Sequence, residues 1–253
     1  MNTVAAEQHS PLEQFEIVEW IPMYFGDFNL SFTNSAFYMT LIVLSIWIFV
    51  AGGMRHASAV PGRWQSMVEL VYEFISNMLY DTVGPEARRF FPFIFSLFMF
   101  ILVANLMGMI PYTFTVTSHI IVTFTFAAFI FVTVTILSFY KNGFKFFTMF
   151  LPPGVPIFLA PLLVVIEFIS YLTRPVSLSV RLFANMMAGH TMLKVIAGFV
   201  ISLGAATYGV AGIIPLAFIT ALTGLEVIIA VLQAYVFAIL TCIYLNDAYH
   251  IQH

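Results

Sequence analysis

RPVSLSVRLFANMMAGH, residues 174–190, sits in an apolar run that reaches from residue 155 to residue 246, and it carries Arg174, Arg181, Asn185 and His190. Charges held inside a membrane are costly and usually face protein or a water-filled cavity. At 100° per residue, Glu167, Ser170, Arg174, Ser177, Arg181 and Asn185 fall within about 40° of the Arg181 direction, so a helix here presents one polar stripe. Such a stripe needs a partner surface other than lipid. His190 points to roughly the opposite side, with Lys194 near it. The helix therefore presents polar groups on two faces and at two depths.

As a single helix, residues 155–197 would be roughly 60 Å long, about twice the ~30 Å thickness of the hydrocarbon core. Such a helix must tilt steeply or break. The region has no clean polar gap and is divided only by Gly198, Gly204, Gly209 and Gly212. It reads as a hairpin of two long, strongly tilted helices over 155–249; four short upright spans, with a break at Pro175, are the alternative. On the returning helix Glu226 and Gln233 lie seven residues apart and share a face. The hairpin sets Gln233 near the depth of Arg181 and Glu226 in the same half as His190. Carboxyl and imidazole groups bind and release protons at accessible pH, whereas arginine keeps its proton. Arg181 fits an electrostatic gate rather than a relay.

The rest of the chain agrees with a bilayer setting. Hydrophobic residues make up 61% and charged residues 8% of the sequence, and the mean hydropathy is +0.99, which predicts an all-α polytopic membrane protein. The net charge of -3 and nine scattered Lys and Arg residues argue against nucleic-acid binding. The single cysteine, Cys242, has no partner for an internal disulfide and reads as a small buried side chain. No cofactor and no metal centre are expected. The terminal HIQH has metal-compatible spacing but reads as a frayed tail.

Residues 1–33 carry Glu7, Glu13, Glu16, Glu19 and Asp27 and no Lys or Arg, the opposite of the basic start of a cleavable signal, so this segment is expected to stay attached. Residues 34–54 form the first expected span. Residues 61–84, with Glu69 and Glu73 one turn apart among aromatic and aliphatic residues, read as an amphipathic surface helix. Residues 88–140 read as a pair of spans that turn around Pro111. The loops holding Arg55, Arg63, Arg88 and Arg89 and holding Lys141 and Lys145 fall on one side, which the positive-inside rule makes cytoplasmic. The N-terminus is then outside and the C-terminus cytoplasmic. Asn105 and His119 lie near the outer ends of their spans, where structural hydrogen bonding and lining of an inlet are both open. FLPPGVP, residues 150–156, breaks the chain before the final hairpin.

RPVSLSVRLFANMMAGH, followed by LEVIIAVLQAYVFAILTCIYLNDA at 225–248, resembles the stator subunit a of F-type rotary ATP synthases, and NLMGMIPYTFTVTSHIIVTF at 105–124 is similar to that family's middle span. The resemblance implies the tilted hairpin and sets it against a rotor ring of c subunits that each carry a membrane-buried carboxyl group. It places Arg181 at the family's essential arginine. Asn185, His190, Glu226 and Gln233 fall on outer half-channel and rotor-facing positions, and Glu167 on the cytoplasmic half-channel. Many bacterial members exchange the acid and histidine found here at Glu226 and His190; the present order resembles mitochondrial and alphaproteobacterial members.

The implied cycle brings a proton through the outer half-channel to a rotor carboxylate as that group leaves Arg181. The neutral carboxyl then rotates through lipid at much lower solvation cost and is deprotonated at water leading to Glu167. Further implied partners are b-type peripheral-stalk subunits, the other ATP synthase subunits and the lipid of a bacterial inner membrane, or alternatively a mitochondrial inner membrane. ATP chemistry would occur on other subunits, since the chain lacks a GxxxxGK[ST] phosphate loop. Arg174 and Ser170 share the stripe without an assigned step; Arg174 would either stabilise the fold or a lipid contact, or act in transport. A secondary transporter or proton channel acting alone is the competing reading, against which the three early spans show no inverted repeat of the final hairpin. A structural subunit of a respiratory complex is a third.

Overall fold

The computed structural model describes residues 17–22, 24–25, 28–29, 31–55, 57–110, 113–150, 158–206 and 212–249. The acidic residues Glu7, Glu13, Glu16 and Asp27, most of the proline-rich break and the HIQH tail lie outside them. The described N-terminal segment forms four short strands, β1 (Glu19–Ile21), β2 (Tyr24–Phe25), β3 (Phe28–Asn29) and β4 (Phe32–Thr33), with β1 antiparallel to β4 and β2 to β3. Thr33 caps the first helix, α1 (Asn34–Met54), its side chain accepting from the Ala36 N–H. Asn34 ties the strands down, its Oδ1 accepting from Val18 N at 3.2 Å.

Helix α2 (Arg63–Val83) buries Val68, Ile75, Leu79 and Val83, a 3.6-residue stripe, while Trp64, Leu70, Tyr72, Phe74 and Tyr80 face outward. It is held against α1 by Trp64, whose Nε1 donates to Phe49 O at 2.9 Å. A 3-10 turn, Pro85–Phe90, carries Arg88 and Arg89 into α3 (Phe91–Gly108). A second one, Val116–Ser118, joins α3 to α4 (Ile120–Asn142). The bundle thus has a basic end, with Arg88, Arg89 and Lys141, and a turn end at the α3–α4 connection.

Two continuous helices complete the chain: α5 (Ala160–Ala206, 47 residues) and α6 (Ile213–Tyr249, 37 residues). They form the long hairpin, not four short spans. Pro175 lies inside α5, where neighbouring helices let a membrane helix absorb the lost backbone bond. At 1.5 Å per residue α5 is about 70 Å long, so it cannot cross a ~30 Å core upright. Helix α6 is the hub, packing on α2, α3, α4 and α5. Its buried Ala230, Ala234 and Ala238, spaced four apart, let neighbouring backbones approach closely. Helix α5 buries only one edge, through Tyr171, Leu178, Leu182 and Met186. Among the described residues, five helical segments (α1, α3 with the end of its preceding turn, α4, α5 and α6) are long and apolar enough to cross a membrane.

Candidate functional site

The turn end of the hairpin gathers polar groups that the bundle encloses. Glu226 and Gln233 are both buried on α6, one face apart from the exposed Leu225, Ile228 and Leu232. Between them on that face, Ala230 O accepts from Asn105 Nδ2 of α3 at 3.3 Å, so Asn105 stands between the carboxyl and the amide. Asn105 is fully buried. From α5, His190 reaches the α3–α4 connection, with its Nε2 3.5 Å from Thr115 Oγ1. Thr115 is itself pinned, donating to Gly108 O at 3.3 Å. Gly108 is required there: a Cβ would stand 2.6 Å from Thr115 Cγ2. His119 caps the other side of the turn, stacked on Phe114 with ring centroids 5.0 Å apart.

Gly189 makes a close contact between the two long helices. A Cβ at that position would run into the Glu226 carboxylate, so the carboxyl lies against bare α5 backbone one residue before His190. Neither carboxylate oxygen of Glu226 is hydrogen-bonded. Buried polar atoms without protein partners are commonly satisfied by ordered water. Among the described residues the buried atoms of this kind are Asn105 Oδ1, Thr117 Oγ1, His119 Nε2, both Glu226 oxygens, Gln233 Nε2 and Ser138 Oγ. All but Ser138 belong to the turn-end half.

The middle and basic end of α5 differ. Arg181 is exposed and makes no hydrogen bond or ion pair among the described residues; Ser170 and Ser177 are exposed with it. Glu167 and Asn185 are half-buried. Within the expected stripe Arg174 reaches α6, its Nη1 donating to Asp247 Oδ2 at 3.1 Å. Gln233 Nε2 is buried without a hydrogen-bond partner. Sequence reasoning missed Thr115, Thr117, Gly189 and Asp247. Only Asp247 carried a signal, as the one acid near the end of α6.

Among the described residues no three His, Cys, Asp or Glu side chains converge on a possible metal position. The arrangement offers titratable groups enclosed at one end of a hairpin and one bare, permanently charged guanidinium beyond them.

This combination has close relatives. The sequence profile of the ATP synthase A chain family matches residues 35–246. The chain is 54% identical over 254 residues to ATP synthase subunit a of Mesorhizobium japonicum, covering 99% of this chain and 100% of the relative. It is 55% identical to that of a Chelativorans species, over 96% and 98% of the two chains, and 56% identical to that of Pelagibacter ubique, over 96% and 99%. With its apolar spans, long hairpin and near full-length likeness to these bacterial proteins, the chain is an integral membrane protein that belongs to the ATP synthase A chain family.

Proposed function

We propose that this chain is the proton-conducting stator of the membrane sector of a rotary ATP synthase. It carries two offset half-channels, separated by Arg181, beside a ring of carboxyl-bearing rotor subunits. The observation that carries the reading is the line of enclosed polar atoms at the turn end, Glu226, Asn105, Gln233, Thr117 and His119, that lack protein partners. Water along this line connects the outer surface to the α5–α6 face. His190 and Glu226 exchange the proton there. The exposed Arg181 lies on the other face of α5, where a rotor carboxylate can pair with it; a partly dehydrated guanidinium forms strong, bidentate bonds to carboxylates.

A carboxylate leaving Arg181 toward the turn end accepts a proton and rotates away neutral. One arriving from the lipid gives its proton to water near Glu167, at the basic and cytoplasmic end. Arg181 keeps its proton throughout, so a protonated rotor carboxyl cannot pass directly between the two half-channels. The chain is set in a bacterial inner membrane with its N-terminus outside, and b-type stalk subunits hold it against rotation. Moving one charge through 100 mV supplies about 2.3 kcal/mol, so several protons serve each ATP.

The test is Arg181→Ala and Arg181→Lys in vesicles that hold the assembled membrane sector. Arg181→Lys is expected to abolish coupled synthesis despite keeping a cation, because an ammonium lacks the planar fork and can lose its proton when buried. Arg181→Ala is expected to abolish synthesis and open a passive proton leak that a rotor-carboxyl blocker stops. Retained synthesis in either variant rejects Arg181 as the separator.

A further inference from the structure

Arg174 lies two turns before Arg181 on α5, and the transport cycle gives it no step. Its surroundings are built from three helices. The guanidinium donates to Asp247 of α6 at 3.1 Å, in a pair whose side chains are 24% and 37% exposed. It also lies 5.6 Å from the ring centroid of Tyr171 on α5 and 5.2 Å from that of Tyr244 on α6. The Tyr171 hydroxyl is in turn hydrogen-bonded to Thr135 of α4 at 2.6 Å. Beside the ion pair is a small cavity of about 20 Å³ that Arg174, Asp247, Tyr244 and Ser138 help to line. Ser138 is 2% exposed, and its Oγ has no hydrogen-bond partner. A cavity of this size holds about one water, which needs two to four polar partners. Ser138 Oγ, the Asp247 carboxylate and the Arg174 guanidinium supply three.

We infer that Arg174, Asp247 and one water seated on Ser138 form an axial lock that fixes the register of α5 against α6 and so positions Arg181. The inference rests on the proposed role of Arg181. Between this pair and the far end α6 buries Ala234 and Ala238, and α5 buries Leu178, Leu182 and Met186, none of them charged. A fixed ion pair specifies one axial register, from which a slide by a helical turn is about 5.4 Å. At the far end Glu226 abuts the backbone of Gly189, and near the hairpin turn Gly212 approaches Val200 and Gly204. The hairpin is thus registered on both sides of Arg181. Arg174 and Asp247 are positioning residues; neither meets the rotor carboxylate.

The experiment measures passive proton leak, normalised to assembled membrane sector, and ATP synthesis in the same vesicles. Asp247→Ala is expected to raise the leak roughly fivefold, the upper end for a partly exposed ion pair, and to lower synthesis with the amount of assembled sector unchanged. Asp247→Asn keeps an acceptor and should leak less. Exchanging the charges, Arg174→Asp with Asp247→Arg, should restore both readings toward the parent. A purely structural role would reduce the amount of assembled sector without raising the leak per sector.

An unchanged leak in Asp247→Ala, or an exchanged pair that leaks as much as Asp247→Ala, overturns the lock. If Asp247→Ala does not assemble, Asp247→Asn and the exchanged pair decide by the same criteria. Arg181→Ala in parallel separates the two ideas: leak there with none in the Asp247 variants rejects the lock alone, and leak in neither rejects the separator as well. A density map of the assembled sector is expected to show one solvent peak bonded to Ser138 Oγ and Asp247; its absence removes the water from the lock.

Discussion

The two halves of the α5–α6 hairpin solve opposite problems. At the turn end, α3, α4 and their connecting turn close around Glu226, Asn105, Gln233 and His119, so the polar line is a property of this chain alone. From the middle of α5 to the basic end, Ser170, Ser177 and Arg181 are exposed, and Glu167 is only half covered. On the proposed reading a partner supplies the other wall of that half, and a proton path closed in one half and open in the other lets the rotor sample both without ever joining them. Mutations should therefore act differently at the two ends: through the chain's own enclosure at one, through the shared surface at the other.

The largest effect is expected for Glu226→Ala, which removes the titratable group of the enclosed half. Proton-driven synthesis should fall roughly a hundredfold, the lower range for losing a positioned acid–base group, while the assembled sector persists. Normal synthesis would break the assignment. Gly189→Ala comes next. Its methyl group meets the flexible end of the Glu226 side chain, so the carboxyl has to swing away while the helices keep their packing. A forced rotamer of this kind predicts synthesis slowed by about fivefold, with thermal stability of the sector unaltered. A stability loss with no rate change would show that the close approach serves packing alone.

Glu167→Gln tests the open half. The expected loss is about threefold, because water and partner groups on that open surface share the proton release. The loss should vary with cytoplasmic pH and be indifferent to outer pH; equal sensitivity to both would erase the distinction between the halves. Thr115→Val is the finest probe. It keeps the shape beside Gly108 but removes the hydroxyl that donates to Gly108 O and meets His190, and about a twofold slowing is expected from the loss of these two weak hydrogen bonds. A slowing as large as that of Glu226→Ala would make Thr115 a member of the path rather than a support.

Apolar run lengths, the side on which arginines and lysines collect, and the seven-residue spacing of Glu226 and Gln233 make the spans and the hairpin legible in the sequence. The enclosure is not. Hydroxyl residues are scattered through this chain, and most bond back to their own helix, as Thr125 does to Ile121 O at 2.6 Å and Thr133 to Phe129 O at 2.7 Å. Such hydroxyls carry no signal that separates them from Thr115 or Thr117, whose significance comes from a tight turn that packs beside α5. The partner of Arg174 is hidden for a related reason. Helical periodicity fixes the direction of its Cβ, but a side chain of that length reaches a carboxylate on the neighbouring helix that spacing does not name.

The bare guanidinium of Arg181 also bears on how such a chain is made. A lone copy released into lipid carries a permanent charge on an uncovered face, where an arginine near the middle of a membrane helix costs about 2.5–3.5 kcal/mol even on insertion-based scales. On the proposed reading, insertion beside a ring already present would give the arginine a carboxylate to meet, so the group proposed to separate the half-channels is also the one that makes a lone copy costly in lipid.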